Sequence, residues 1–146
     1  MSALAKLEAE TYVDATPEAV FDAVCDMEAR ARDVPAFQRV EMGERSEDGF
    51  VATMFEHYGG RDVVVTSRFR YDRPHWVSYE HLDGPYGENR GCFTIEPTGA
   101  GSRLHQVHET AQDISEGTTL RAEWLQLMAE QLDAIRRAAE GDRAAN

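Results

Sequence analysis

The last quarter of the chain repeats its apolar residues with the period of an α-helix. Between Gly117 and Glu140 the apolar side chains fall on one side, at Leu120, Trp124, Leu127, Met128, Leu132 and Ile135. The opposite side carries Glu123, Gln126, Glu130, Asp133 and Arg137. Gly141 follows at a position where a C-cap glycine is common. The pattern predicts one long helix over 117–140, about 36 Å at 1.5 Å per residue, and a loose tail over 142–146.

Most of the preceding chain alternates apolar and polar residues, which is typical of strands with one face in the core. Strands are predicted at 3–13, 37–43, 49–58, 61–71, 75–83, 88–97 and 102–112. Closely spaced Gly, Pro and Asp turns separate the last six strands and favour antiparallel neighbours. Two short helices are predicted after the first strand, one from Pro17 to about Cys25 and one from Met27 to about Val34. The pattern predicts an α+β domain with a seven-stranded antiparallel sheet wrapped around the long helix.

The alternation also predicts which side chains face that helix. In three strands the inward residues are Val63, Val65, Ser67 and Phe69, then Gly91, Phe93 and Ile95, then Leu104, Gln106, His108 and Thr110. Strands 49–58 and 75–83 are apolar on both faces, and we place Tyr79 and His81 inward. Apolar residues on two faces also indicate that the outer face is covered, as in a homodimer.

The predicted inner face holds more polar groups than an ordinary core. Ser67, Gln106 and His108 face inward, and Gln131 lies within the apolar stripe of the helix. A dry core would leave each polar group unsatisfied at a cost of about 1–3 kcal/mol. The groups therefore either pair with one another or line a cavity that holds water or a ligand, and we favour a cavity over a dry core. His108 is either a hydrogen-bonded core histidine or a catalytic one.

Composition and charge narrow the range of functions. The chain has 146 residues, enough for one domain over 1–146, and a net charge of −12, which argues against a nucleic-acid or anionic-membrane partner. It has no apolar run of membrane-spanning length and no signal-peptide pattern at its N-terminus, so we expect a cytoplasmic protein. Cys25 and Cys92 are expected to be reduced. A triad built on Ser67 has no nucleophile elbow to support it.

No metal site or cofactor is predicted. His105 and His108 have a ligand-like spacing, but residues three apart on a strand point to opposite faces. Basic residues gather in the middle of the chain, at Arg61, Arg68, Arg70, Arg73 and Arg90. This group is either a solvated, ion-paired surface or a docking patch.

The order of elements resembles the helix-grip fold of the START/Bet v 1-like (SRPBCC) superfamily, and within it the bacterial polyketide aromatase/cyclases and related cyclase/lipid-transport proteins. The resemblance covers almost the whole chain. It rests on the segments YVDATPEAVFDAVCDMEA and DGPYGENRGCFTIEPTGAGSRLHQVHET and on the C-terminal helix. In the aromatase/cyclases a cavity between sheet and helix binds a linear poly-β-ketone and folds it for aldol condensation.

The resemblance matches several residues to cavity positions and departs from the family at others. Gln106 and His108 match cavity-facing positions in the last strand. Gln131 matches an amide-bearing position on the helix, and Phe93 and Tyr86 match aromatic positions that line the cavity. The buried arginine of the family falls at Phe69, its tryptophans at Val63 and Val65, and Arg30 stands where the second short helix often has tryptophan.

The resemblance implies an enzyme of the polyketide cyclase/aromatase type that needs no cofactor. His108 is the expected acid/base, and Gln106, Gln131 and Tyr79 are expected to donate hydrogen bonds to carbonyl or enolate oxygens. The expected substrate-binding residues are Ser67, Phe69, Tyr86, Phe93, Trp124, Met54 and His81. An acidic acyl carrier protein would dock on Arg61, Arg68, Arg70 and Arg73. The alternatives are a carrier of a lipid, quinone or aromatic metabolite, and a domain whose pocket is vestigial.

Overall fold

A single antiparallel sheet closes around one long helix. The computed structural model describes residues 3–144. Its elements are β1 (Ala5–Val13), α1 (Pro17–Cys25), α2 (Met27–Asp33), β2 (Phe37–Ser46), β3 (Gly49–Tyr58), β4 (Arg61–Asp72), β5 (Trp76–Asp83), β6 (Asn89–Thr98), β7 (Gly101–Thr110) and α3 (Thr119–Ala144). The strand order is β1-β7-β6-β5-β4-β3-β2, antiparallel throughout. The predicted helix-grip fold is confirmed.

Two side-chain caps start the short helices that connect β1 to β2. Thr16 Oγ1 accepts from the backbone N–H of Ala19 at 3.2 Å, and Pro17 occupies the first helical position. Asp26 ends α1 and its carboxylate accepts from the N–H of Ala29 at 3.1 Å to begin α2. The chain thus changes direction sharply and packs both short helices against α3.

The inner faces of the strands match the predicted alternation. The predicted inward residues of β4 are all buried, at 4–6% exposed, and Phe93, Leu104, Gln106 and Thr110 are at most 2% exposed. Tyr79 and His81 also point inward, as predicted. The sheet and helices share a core that includes Val13, Val20, Val24, Phe93, Leu104 and Ile135, and a smaller cluster of Leu7, Ile114, Trp124 and Met128 lies near the start of α3.

The long helix differs from its prediction at both ends. Gly117 has a φ of +91° and precedes the helix, whose first N–H groups are capped by Thr118: its Oγ1 accepts from the N–H of Arg121 at 3.3 Å. The C-cap prediction at Gly141 is wrong, because the helix continues through Gly141 to Ala144. The predicted tail is therefore helical over 142–144, and residues 145–146 lie outside the described residues. None of the helices within residues 3–144 is both long and apolar enough to span a bilayer.

Candidate ligand-binding cavity

A cavity lies between the inner face of the sheet and helices α2 and α3. The cavity volume is about 100 Å³, counted as the space that the centre of a water molecule can occupy. All the empty space in this region, with adjoining open solvent included, is about 790 Å³. The eleven residues predicted for the site all line it: Met54, Ser67, Phe69, Tyr79, His81, Tyr86, Phe93, Gln106, His108, Trp124 and Gln131. Their predicted location is thus observed, while their chemical roles remain predictions. The sequence favoured a cavity over a dry core because of its inward polar groups, and those groups surround this space.

A continuous row of hydrogen bonds crosses the cavity wall through His108. Its Nδ1 lies 2.7 Å from the hydroxyl of Tyr79, and its Nε2 lies 3.0 Å from Oδ1 of Asn89. Gln106 Nε2 donates to the Tyr79 oxygen at 3.0 Å. At the other end, Asn89 Nδ2 donates to the carbonyl oxygens of Tyr86 and Gly87 at 3.0 and 3.2 Å. Strand pairing sets this row, because β5, β6 and β7 are adjacent.

The chain of partners fixes the direction of every bond in the row. Because both backbone acceptors face Asn89 Nδ2, its Oδ1 must face His108 and accept from Nε2–H. The lone pair of His108 is therefore on Nδ1, and Tyr79 donates its proton there. The Tyr79 oxygen then accepts from Gln106, whose own Oε1 is buried without a partner. The hydroxyl proton of Tyr79 is thus already used by His108, which limits its predicted role as a donor to ligand oxygens.

Both cavity histidines are neutral near pH 7. Burial, together with a smaller contribution from the nearby His81, lowers the pKa of His108 to about 4, and burial lowers the pKa of His81 to about 4. The two rings stand 6.0 Å apart, and His81 also stacks on Tyr79 at 6.3 Å. His108 accordingly presents a neutral imidazole that can accept a proton but holds it weakly.

Aromatic side chains line the end of the cavity that is nearest to solvent. Trp124 meets Tyr86 edge to face at 5.2 Å, and its Nε1 donates to the Tyr58 hydroxyl at 3.3 Å. Trp124 also contacts the ring of His108 edge to face at 5.4 Å. Outside them, the exposed Arg61 donates to the Tyr86 hydroxyl at 3.3 Å and pairs with Glu123 at 3.2 Å.

The opposite end of the cavity holds a buried arginine that the sequence analysis did not assign to the site. Arg30 is 4% exposed, donates from Nη2 to the carbonyl oxygen of Val24, and reaches Gln131 Oε1 from Nη1 at 3.4 Å. Its guanidinium lies 5.4 Å from the ring centre of Phe93. Burial lowers the pKa of Arg30 to about 10, so it remains a cation at neutral pH. Burying an ion costs several kcal/mol unless a partner compensates the charge.

A second missed residue is Glu56 on β3. Its carboxyl lines the cavity, and no side-chain partner holds it within the described chain. Burial alone raises the pKa of Glu56 to about 8, so a large share of the molecules hold it protonated near neutral pH. Alternation would have placed it inward, since Ala52, Met54 and Tyr58 share its parity and also line the cavity.

The four arginines predicted to dock a carrier protein do not form one surface. Arg61 begins β4 and Arg73 follows its last residue, and they pair with Glu123 and Asp22 respectively. Arg68 and Arg70 project from the outer face of the same strand.

His105 is on the outer face of β7 beside Glu8, opposite to His108, as predicted. Across residues 3–144 no three His, Cys, Asp or Glu side chains are arranged to hold a metal ion.

Comparison with known proteins identifies the family. The sequence model of the family described as "Polyketide cyclase / dehydrase and lipid transport" matches residues 5–140. The chain belongs to this family, and the resemblance inferred from the sequence is confirmed. A search of curated protein sequences gave no match.

Solved structures share the fold at low sequence identity. The Zhui aromatase/cyclase from Streptomyces sp. R1128 is 21% identical, with a TM-score of 0.82 and 94% of each chain covered. The di-domain ARO/CYC StfQ from the steffimycin biosynthetic pathway is 18% identical, with a TM-score of 0.83 over 99% of this chain and 53% of that chain. A START superfamily protein from Mycobacterium smegmatis is 17% identical, with a TM-score of 0.71 over 94% and 95%. At these identities the likeness shows the fold.

Proposed function

We propose that the protein binds a poly-β-ketone or related polycarbonyl substrate in this cavity and promotes its cyclisation by aldol condensation and dehydration. The observation that carries the proposal is the directed row Gln106–Tyr79–His108–Asn89 along the cavity wall. Membership of the cyclase family supports it, as do two structural relatives that are named aromatase/cyclases.

Aldol closure needs a proton removed from a carbon between carbonyl groups and a developing enolate that is stabilised. In the proposed step, that proton passes to the Tyr79 oxygen while the hydroxyl proton of Tyr79 passes to His108 Nδ1. The imidazolium that forms donates from Nε2 to Asn89 Oδ1. The enolate carbon attacks a second carbonyl, and the new alkoxide takes the proton back along the same path. Dehydration then releases one water molecule.

Two amides assist this step in different ways. Gln131 accepts from Arg30 through Oε1, which leaves its N–H groups free to donate to a carbonyl or enolate oxygen. Gln106 donates to Tyr79 and holds the hydroxyl in place, while its own Oε1 is buried without a hydrogen-bond partner. The aromatic rings of Phe69, Phe93 and Trp124 shape the bound chain, and much of the acceleration comes from that orientation.

The test of this proposal is His108→Ala assayed with a synthetic poly-β-ketone thioester. We expect the cyclisation rate to fall by at least about 100-fold, the contribution typical of a general base, with binding retained. The matched control is His105→Ala, on the same strand but on its outer face, which should keep the wild-type rate. An unchanged rate in His108→Ala would reject the catalytic role.

The alternative function is a carrier of a lipid, quinone or aromatic metabolite without chemistry. One observation favours it: both nitrogens of His108 already have protein partners, and its low pKa makes it a weak base. A carrier would lose at most some affinity in His108→Ala. Native mass spectrometry of freshly purified protein separates the two functions, because a carrier retains a stoichiometric ligand and an enzyme releases its product.

Docking of an acyl carrier protein is a further part of the proposal. Of the four arginines, Arg61 lies beside the aromatic end of the cavity, where a tethered substrate would enter. Reversing the charges of Arg68 and Arg70 should leave turnover on a carrier-bound substrate unchanged if Arg61 alone is used, and slow it if the outer face of β4 is the docking surface.

A further inference from the structure

We propose that Arg30 and Gln131 form an anion-binding subsite at the inner end of the cavity and that the ligand carries a carboxylate at the end that reaches it. This inference rests on the proposed function, since it assumes that the cavity binds a ligand, and it narrows the ligand class to organic acids.

The first argument is that the Arg30 guanidinium is buried without a complete set of partners. At 4% exposure, its Nη2 is used by the carbonyl oxygen of Val24 and its Nη1 by the amide oxygen of Gln131, while Nε has no hydrogen-bond partner. A buried donor without an acceptor is rare in folded proteins. Arg30 lines the cavity, and the second N–H of each Nη nitrogen can donate to one oxygen of a ligand carboxylate.

The second argument is that the protein supplies no counter-ion. In the described part of the chain, no carboxylate forms an ion pair with Arg30, and both of its side-chain hydrogen bonds go to neutral oxygens. Asp26 acts on the charge of Arg30 only through space, without direct contact, while its carboxylate accepts from the backbone N–H of Ala29. Burial raises the pKa of the neighbouring Cys25 thiol to about 11, so this group stays neutral. A ligand carboxylate in the cavity would supply the direct ion pair that the described chain does not give Arg30.

The third argument is the shape of the cavity between its two ends. Trp124, at the aromatic end, lies seven residues before Gln131 on α3, which corresponds to about 10 Å along the helix axis. Between them lie Phe93 and the row through Tyr79 and His108. The fitting ligand has a carboxylate at its inner end and an unsaturated or polycarbonyl body of about 10 Å that extends to the aromatic residues.

The test compares two probes that differ only in charge, 2-naphthoate and 2-naphthamide, by titration calorimetry near pH 7.5. We expect the wild-type protein to bind naphthoate at least about tenfold more tightly. In Arg30→Gln this ratio should fall to about one while the affinity for naphthamide stays within about twofold. Arg73→Gln, which removes an exposed arginine that is paired with Asp22, is the control and should keep the wild-type ratio.

A second variant keeps the test decisive if Arg30→Gln does not fold. Gln131→Glu places a carboxylate beside the guanidinium as an internal counter-ion, so the fold should be retained and the preference for naphthoate lost. Equal affinities for the two probes in the wild type, or a preference that survives Gln131→Glu, would overturn the subsite. If the protein cyclises its substrate but shows no preference for naphthoate, the proposed function stands and the subsite is rejected. If it binds naphthoate selectively through Arg30 but does not cyclise a substrate, the subsite stands and the proposed function is rejected.

Discussion

Glu56 shows at the scale of one residue how a cavity costs stability. Its pKa rises from 4.5 to about 8 because burial disfavours the carboxylate. Between these pH values the folded chain holds a proton that the unfolded chain releases, so the free energy of unfolding falls as the pH rises through this range. Below pH 4.5 both states are protonated and the cost is absent.

Replacing Glu56 by Gln removes this titration. We expect Glu56→Gln to be more stable than the wild type by a few kcal/mol at about pH 9, because each pKa unit is worth about 1.4 kcal/mol. The advantage should vanish near pH 4. Urea unfolding followed by circular dichroism at the two pH values measures the difference. An equal gain at both pH values would show that burial of the charge is not its cause.

Some residues of the cavity wall could be predicted from the sequence, and others could not. Strand alternation located Gln106 and His108 on the cavity wall, because polar residues fix the outer face of their strand, whereas the strand of Tyr79 is apolar on both faces and its pattern alone does not decide the side. Arg30 was missed although helical spacing from Met27 places it, and not Arg32, on the buried face of α2, because an arginine is rarely fully buried. Asn89 was missed because its contact with His108 joins two strands, which no pattern within one strand reveals.

At the scale of elements, Gly91 on β6 makes room for the Tyr79 hydroxyl. A Cβ at this position would lie 2.3 Å from that oxygen and 2.6 Å from the carbonyl oxygen of Val107. Because the second atom is backbone, Gly91→Ala forces the strand or Tyr79 to shift. We expect a loss of about 1–3 kcal/mol in unfolding free energy together with weaker naphthamide binding. Wild-type stability and affinity in this variant would contradict the position of Tyr79.

Substitution of Gly141 by alanine should stabilise the protein, in contrast to substitution of Gly91. Gly141 lies inside the helix, and a Cβ there would meet no atom within 4 Å. Gly141→Ala should therefore stabilise the protein, by up to about 1 kcal/mol, because alanine is the better helix former. A C-cap glycine with positive φ would instead be destabilised by alanine. Thermal unfolding of the two proteins distinguishes these cases.

The error at Gly141 has a physical cause. Glycine is enriched after helix ends, but helix ends are decided by packing and by charges in the last turns. Here Arg136 bridges Asp133 and Glu140 at 2.6 and 3.1 Å, and Glu140 also accepts from the backbone N–H of Asp14 at 2.7 Å. These contacts hold the last described turns in helical geometry. The boundaries of β3, by contrast, were predicted without error because turn residues flank the strand on both sides.

At the scale of the whole molecule, the order of elements was predictable and the cavity geometry was not. Tight turns between successive strands leave an antiparallel meander as the simplest topology, and the long amphipathic helix must cover its inner face. The distribution of charge depends on both ends and both faces of β4: Arg61 begins the strand, Arg73 follows it, and Arg68 and Arg70 lie on its outer face. The burial of the ionisable groups of Arg30 and Glu56 depends on how α2 and β3 are placed around the cavity, which the sequence does not show.

Incubation of the wild-type protein with a synthetic poly-β-ketone thioester, with products separated by liquid chromatography and mass spectrometry, shows whether the cavity catalyses ring closure. The proposed function predicts one dominant ring-closed product, formed much faster than in buffer and suppressed in His108→Ala. The same product distribution and rate as in buffer would contradict it and would leave the cavity as a binding site without catalysis.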